Sequence, residues 1–174
     1  MILNQSLHLG LALFVALAVQ PPRGREPRTL AEVEGPFRLT ATPLRVTLAA
    51  GSAMREALAQ SSEAKLFVEL RGLSAADEPG TTFAVYVDLP EGGSREERER
   101  HRIGSLNFFG TSIRGAEPGH ELPSESRSFD LTPMARGLLA RASLGAPITI
   151  TVEAHSTPAP EADVTIRSIA IVQP

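Results

Sequence analysis

The feature that most constrains the fold is a period-two alternation of apolar and polar residues from Phe37 onward, in short runs divided by Pro, Gly and Ser. Alternation of this period buries one side of a strand and leaves the other in solvent. The runs lie at residues 37–49, broken at Pro43, and at 65–73, 82–89, 103–110, 147–154 and 164–172. Six or seven short strands joined by turns predict a mainly β protein, an antiparallel β-sandwich or barrel.

One short helix is predicted within residues 129–145. Thr132 is a good N-cap, Pro133 fits the first helical turn, and Gly145 can end the helix. The residues expected to face the sheets are Leu138, Leu139 and Ala142. We therefore expect this helix to cross the end of the sandwich.

Two other segments leave alternatives open. Residues 52–63 are rich in Ala and Leu and could form a short helix capped by Ser52, or a mobile loop. The arm at 91–102 mixes charges densely and contains no apolar residue, which predicts a solvated loop or a short exposed helical turn.

The N-terminal segment resembles an export signal. Residues 9–19 are uncharged, and Ala16 and Ala18 give the small-x-small pattern of a cleavage site. The run is too short for a membrane-spanning helix, which needs about 20 apolar residues. We predict a signal peptide at 1–19 and an exported protein. A buried or interfacial helix, or a mis-assigned start, is the alternative, because no Lys or Arg precedes the run.

The rest of the chain divides into a linker and a domain. Residues 20–36 are rich in Pro, Gly and charge, which favours a linker. Residues 37–173 form the predicted β-sandwich domain.

Composition excludes several classes of function. The net charge is -3, and the chain contains one Tyr and no Trp, so it offers neither a basic surface nor stacking platforms for nucleic acid. No cysteine is present, which excludes disulfides and thiolate sites.

The sequence gives no sign of catalysis. The four histidines show no H-x-x-x-H spacing, and no serine lies in G-x-S-x-G. Carboxylates such as Glu69 and Asp88 could pair only if the fold brought them together, and exposed strand acids are the simpler interpretation. We predict a non-catalytic protein with no metal site and no cofactor.

Two adjacent aromatic residues, Phe108 and Phe109, end the run 103–110. In a strand they point to opposite faces, so only one readily enters the core. The other either packs beneath the loop at 117–128 or offers an aromatic side chain to a partner.

Five segments in order resemble the C-terminal domain of tyrosinase and polyphenol oxidase proteins. They are FAVYVDLPEG at 83–92, HRIGSLNFFG at 101–110, FDLTPMARGLLAR at 129–141, ITITVEA at 148–154 and VTIRSIAIV at 164–172. Each is only a strand and a turn, but their order is specific. The resemblance extends over residues 37–172.

The resemblance implies a jelly-roll-like β-sandwich that covers the entrance of a dicopper oxidase domain, often with one bulky side chain above the coppers. The oxidase site of that family needs six helix-borne histidines, and this chain has four. The resemblance therefore implies a cap or accessory module for a separately encoded copper oxidase. The candidates for the plugging side chain are Phe108, Phe109 and Tyr86, and the segment 111–128 could also reach a partner.

Two other functions remain as alternatives. An independent exported β-sandwich could bind carbohydrate or protein, although its aromatic residues are few. A copper-delivery protein would need clustered His, Met or Cys, and is the weakest of the three hypotheses.

Overall fold

Eight strands, three α-helices and a short 3-10 helix at Pro160–Ala162 build the part of the chain that the computed structural model describes, residues 27–108, 125–141 and 146–174. The strands are β1 (Arg28–Arg38), β2 (Leu44–Leu48), β3 (Phe67–Leu73), β4 (Phe83–Val87), β5 (Arg102–Leu106), β6 (Glu125–Asp130), β7 (Ile148–Ala154) and β8 (Thr165–Gln173). The helices are α1 (Gly51–Gln60), α2 (Arg95–His101) and α3 (Thr132–Ala140). Within these ranges, no helix is long and apolar enough to span a membrane. The predicted signal peptide at 1–19 lies outside the described residues.

The strands form two four-stranded sheets, in the orders β1-β8-β3-β6 and β2-β7-β4-β5. All pairings are antiparallel. The predicted antiparallel β-sandwich is confirmed.

The core lies between the two sheets and follows the predicted alternation. On β4, Phe83, Val85 and Val87 are buried against the other sheet. Leu66, Val68 and Leu70 line the opposite layer as predicted, each with no exposed surface. Burying a side chain of this size contributes about 1.5–3 kcal/mol, so the sandwich is stabilised mainly by these inward faces.

The two sheets approach closely where β5 and β6 lie side by side. A Cβ added to Gly104 on β5 would stand 2.4 Å from the ring of Phe129 on β6. The absence of a side chain at Gly104 therefore lets Phe129 close this side of the core.

Two strands lie where the sequence predicted other structure. β1 begins at Arg28, so residues 28–36 of the predicted linker 20–36 are strand, paired with β8. β6 begins at Glu125, inside the predicted loop at 117–128. Both are edge strands, and their polar residues face solvent, which hides the alternation on which the prediction depended.

Helix α3 lies within the predicted range 129–145, but the predicted N-cap, Thr132, is wrong. Its N-cap is Leu131, and Thr132 is buried instead, bonded to the backbone of Leu66 on the neighbouring strand segment. Leu138 is partly buried against the core as predicted, Leu139 is exposed, contrary to prediction, and Ala135 is fully buried. The predicted contact of Ala142 and the stop at Gly145 lie outside the described residues.

The remaining helical predictions are resolved in favour of helix. α1 spans Gly51–Gln60 with Ala50 as N-cap, so the predicted cap Ser52 lies inside the helix. The charged arm contains α2, a short exposed helix.

The antiparallel connections place all three α-helices at one end of the sandwich, which we call the helix end. The connections 39–43, 74–82 and 155–164 lie at the opposite end, which we call the loop end.

Candidate functional site

The loop end carries a cleft of about 280 Å³, which we call the loop-end cleft. It is lined by residues 78–82, Phe108, His155 and Ser156. Segments from two connections and Phe108, two residues beyond the end of β5, thus converge on one concave surface.

Hydrogen bonds between the two connections hold the loop-end cleft in shape. The N–H of His155 donates to the oxygen of Thr82 at 2.9 Å, and the N–H of Ser156 donates to Oγ1 of Thr81 at 3.0 Å. A third bond runs from the N–H of Ala159 to the oxygen of Pro79 at 3.0 Å. The cleft is therefore a preformed feature rather than a gap between independent loops.

Phe108 forms part of the inner wall of this cleft. Only 2% of its surface is exposed, and its ring meets that of Phe83 edge to face, with centroids 5.6 Å apart. The structure therefore places Phe108 in the core. Phe109 lies outside the described residues.

Tyr86 lies on the outer face of its sheet, near the end of β4, whereas Phe108 contacts Phe83 at the start of that strand. It is 7% exposed because α2 covers it, with the Arg98 guanidinium 5.1 Å from its ring centroid. Arg98 also forms an ion pair with Glu153 on β7, and this hydrogen bond raises the pKa of Arg98. Tyr86 thus anchors α2 to the sheet, and the structure does not bring it together with Phe108.

Helix α2 is held at its start by a reciprocal pair of hydrogen bonds. The N–H of Ser94 donates to Glu97 Oε2 at 2.8 Å, and the N–H of Glu97 donates to Ser94 Oγ at 3.3 Å. The Ser-x-x-Glu spacing at 94–97 is the sequence signature of such a capping box. This signal could have identified α2, and with it the covering of Tyr86, from the sequence.

A polar cluster lies on the outer face of the sheet that contains β3. Arg71 pairs with Glu32 at 3.0 Å and with Glu69 at 2.8 Å. A hydrogen bond from the hydroxyl of Ser168 holds the pKa of Glu32 below its ordinary value; burial opposes this effect and Arg71 supports it. The cluster joins three strands, which indicates a structural role.

The carboxylates Glu69 and Asp88 do not form a pair. Glu69 is bonded to Arg71 on β3, whereas Asp88 follows β4 in the other sheet and accepts the N–H of Thr149 at 2.8 Å. Each carboxylate therefore has its own structural partner.

The residues present do not fit a dicopper centre. His155 lies at the loop end, whereas His101 lies at the helix end with Nδ1 2.7 Å from the oxygen of Val87. Within the described ranges, no three His, Cys, Asp or Glu side chains cluster closely enough to hold a metal ion.

Comparisons with known proteins connect this fold to a family and to one kind of oxidase. A family model described as Domain of unknown function (DUF7868) matches residues 26–174. No curated protein matches the sequence.

Among solved structures, recombinantly expressed latent aurone synthase, a polyphenol oxidase, matches with a TM-score of 0.53 at 17% identity, over 81% of this chain and 26% of that chain. The same kind of protein from natural source matches with a TM-score of 0.50 at 18% identity, again over 81% and 26%. The chain thus spans about a quarter of the length of the polyphenol oxidases it matches. At 17% and 18% identity, this similarity shows a shared fold.

Proposed function

This chain belongs to the family described as Domain of unknown function (DUF7868), and from that premise we propose that it is a non-catalytic accessory domain of a polyphenol-oxidase-type copper enzyme. In this role the sandwich caps the entrance of a separately encoded oxidase and limits access of phenolic substrates.

One observation carries the proposal. The fold resembles a part, about a quarter, of polyphenol oxidase chains, while 81% of this chain takes part in the match. The sequence resemblance to the C-terminal domains of such enzymes supports the same conclusion, because its five segments correspond to β4, β5, α3, β7 and β8.

The number and placement of the histidines that could bind copper support a role without catalysis. Four histidines are too few for the dicopper site of such enzymes, and His101 and His155 are separated by the length of β4. The copper and the oxidation chemistry therefore belong to the partner in this proposal.

We assign the capping contact to the loop end. The loop-end cleft is concave and held by hydrogen bonds between its two connections, which suits recognition of a complementary surface. Phe108 and Tyr86 are packed within the chain, so Phe108 supports the cleft from within and Tyr86 supports α2. Of the three plugging candidates, Phe109 stays a prediction from the sequence.

The proposal is tested by affinity capture. The full chain, tagged and expressed in its native organism, is purified gently, and the eluate is assayed for copper and for diphenol oxidation. We expect a copper oxidase to co-purify at a fixed ratio to the tagged chain.

A tagged, unrelated β-sandwich expressed at the same level is the control. A folded bait that brings down no copper oxidase would contradict the proposal and favour an independent binding or interaction module.

A further inference from the structure

A groove at the helix end differs in charge from the protein as a whole. It lies between α3 and the start of β5, has a volume of about 480 Å³, and is called here the α3 groove. Three exposed arginines line it, Arg100, Arg102 and Arg141, together with one carboxylate, Asp130. The chain carries a net charge of -3, so this positive surface runs against the overall balance.

The floor of the α3 groove is apolar and open. Ile103 and Met134 are partly exposed there. Gly137 on α3 also lines the groove, and a Cβ added to it would meet no atom within 4 Å. The groove can therefore accept an apolar side chain on its floor.

Internal contacts leave much of the positive charge in place. Asp130 accepts the N–H of Thr132 at 2.8 Å and stays anionic, and a guanidinium nitrogen of Arg102 lies 3.5 Å from a carboxylate oxygen of Glu99, so the three arginines stand against two carboxylates. Nε of Arg100 donates to the backbone oxygen of Glu96, a contact that does not neutralise its charge. An anionic group brought to the rim would thus find cationic partners.

The edge of a sheet adds a reason to expect a peptide. Among the described residues, β5 is hydrogen-bonded to β4 alone and forms the edge of its sheet. The backbone of an extended peptide can pair with such an edge, whereas a small anion cannot use it along its length.

We propose that the α3 groove is a docking surface for an acidic segment of a partner protein, with an apolar side chain on the floor and carboxylates on the arginine rim. The inference goes beyond the capping role, since it concerns the opposite end of the sandwich and requires no oxidase.

The test uses a synthetic seven-residue peptide in which glutamates alternate with valines, with both termini blocked, and a matched peptide with lysines in place of the glutamates. Binding to the full chain is measured by calorimetry and by amide chemical-shift changes. We expect the acidic peptide to bind saturably, with shifts in β5 and α3, and the lysine peptide not to bind.

Two pairs of substitutions separate a specific groove from general attraction. Arg100→Gln with Arg141→Gln removes two charges from the groove, and Arg28→Gln with Arg95→Gln removes two exposed charges elsewhere. We expect about tenfold weaker binding for the first pair and less than a twofold change for the second, since each exposed ion pair contributes up to about 1 kcal/mol. Gly137→Leu fills the floor at a helix position that tolerates it, and should weaken binding about fivefold.

Equal effects of the two arginine pairs, or unchanged binding by Gly137→Leu, would overturn the proposal. So would the absence of saturable peptide binding. Octanoate, a carboxylate with an apolar chain, tests for a small ligand. If octanoate binds in the groove and the acidic peptide does not, the groove is a small-ligand site and the inference is wrong.

Discussion

The contact that joins α3 to the sandwich depends on one hydroxyl group. Oγ1 of Thr132 accepts the N–H of Leu66 at 2.9 Å, and its hydroxyl donates to the oxygen of Leu66 at 3.3 Å. Thr132 is 5% exposed and Leu66 is fully buried. Substituting Thr132→Val keeps the side-chain volume and removes the hydroxyl, which makes these contacts with Leu66 and a hydrogen bond that helps to hold the pKa of Asp130 below its ordinary value.

The expected cost follows from which group is left unpaired. The oxygen of Leu66 keeps a second donor, the N–H of Leu131 at 2.8 Å, but the N–H of Leu66 loses its partner. An unpaired buried donor costs about 1–3 kcal/mol, and Thr and Val have similar helix propensities. We therefore expect Thr132→Val to lower the free energy of unfolding by about 2 kcal/mol, or the melting temperature by about 4–8 °C in a domain of this size.

Urea unfolding and thermal melting followed by circular dichroism measure this change. Thr132→Ser keeps the oxygen and should lose about 1 kcal/mol or less. Thr47→Val alters an exposed threonine and should stay within about 0.5 kcal/mol of wild type. If Thr132→Val unfolds like wild type, or if Thr132→Ser is as damaging as Thr132→Val, the hydroxyl does not hold the helix.

Three further outcomes are expected. Gly104→Val should destabilise the chain by about 1–3 kcal/mol in urea unfolding, because its Cβ would collide with the Phe129 ring; a cost below about 0.5 kcal/mol would contradict this packing. Gly137→Ala should raise the free energy of unfolding by about 0.5–1 kcal/mol, since the helix gains propensity and the new Cβ meets no neighbour; a lower melting temperature would count against it. The lowered pKa of Glu32 means that the unfolded chain binds protons first as the pH falls below the ordinary value of 4.5. Stability is therefore present above that pH and lost below it, and Ser168→Ala should make this loss shallower in unfolding curves between pH 3 and 6; an unchanged slope would exclude the hydrogen bond as the cause.

The fold was predictable where buried apolar residues alternate with polar or small residues along a single strand. Phe83, Val85 and Val87 alternate with polar or small neighbours, so a pattern of period two was enough to place β4 and its inward face. The segment 125–130 contains a single large apolar residue, Phe129, and forms a strand because β3 pairs with it. That pairing is long-range, and no local pattern encodes it.

The candidate sites were less predictable, because contacts distant in sequence decide them. Tyr86 looked like an outward aromatic side chain, but Arg98 and Glu153 cover it from other elements. Thr132 looked like a helix cap, but its hydroxyl serves Leu66 across the fold. In both cases the residue was identified and its partner was not.

Titration measures whether the sandwich caps a copper oxidase through its loop end. The initial rate of diphenol oxidation by the captured oxidase is measured as the full chain is added, in wild-type form and with Glu78→Arg at the loop-end cleft or Glu63→Arg at the helix end as a matched control. If the loop end makes the contact, wild-type and Glu63→Arg chains lower the rate to the same plateau, and Glu78→Arg requires several times more protein to do so. A rate that no concentration of the wild-type chain reduces would contradict the claim.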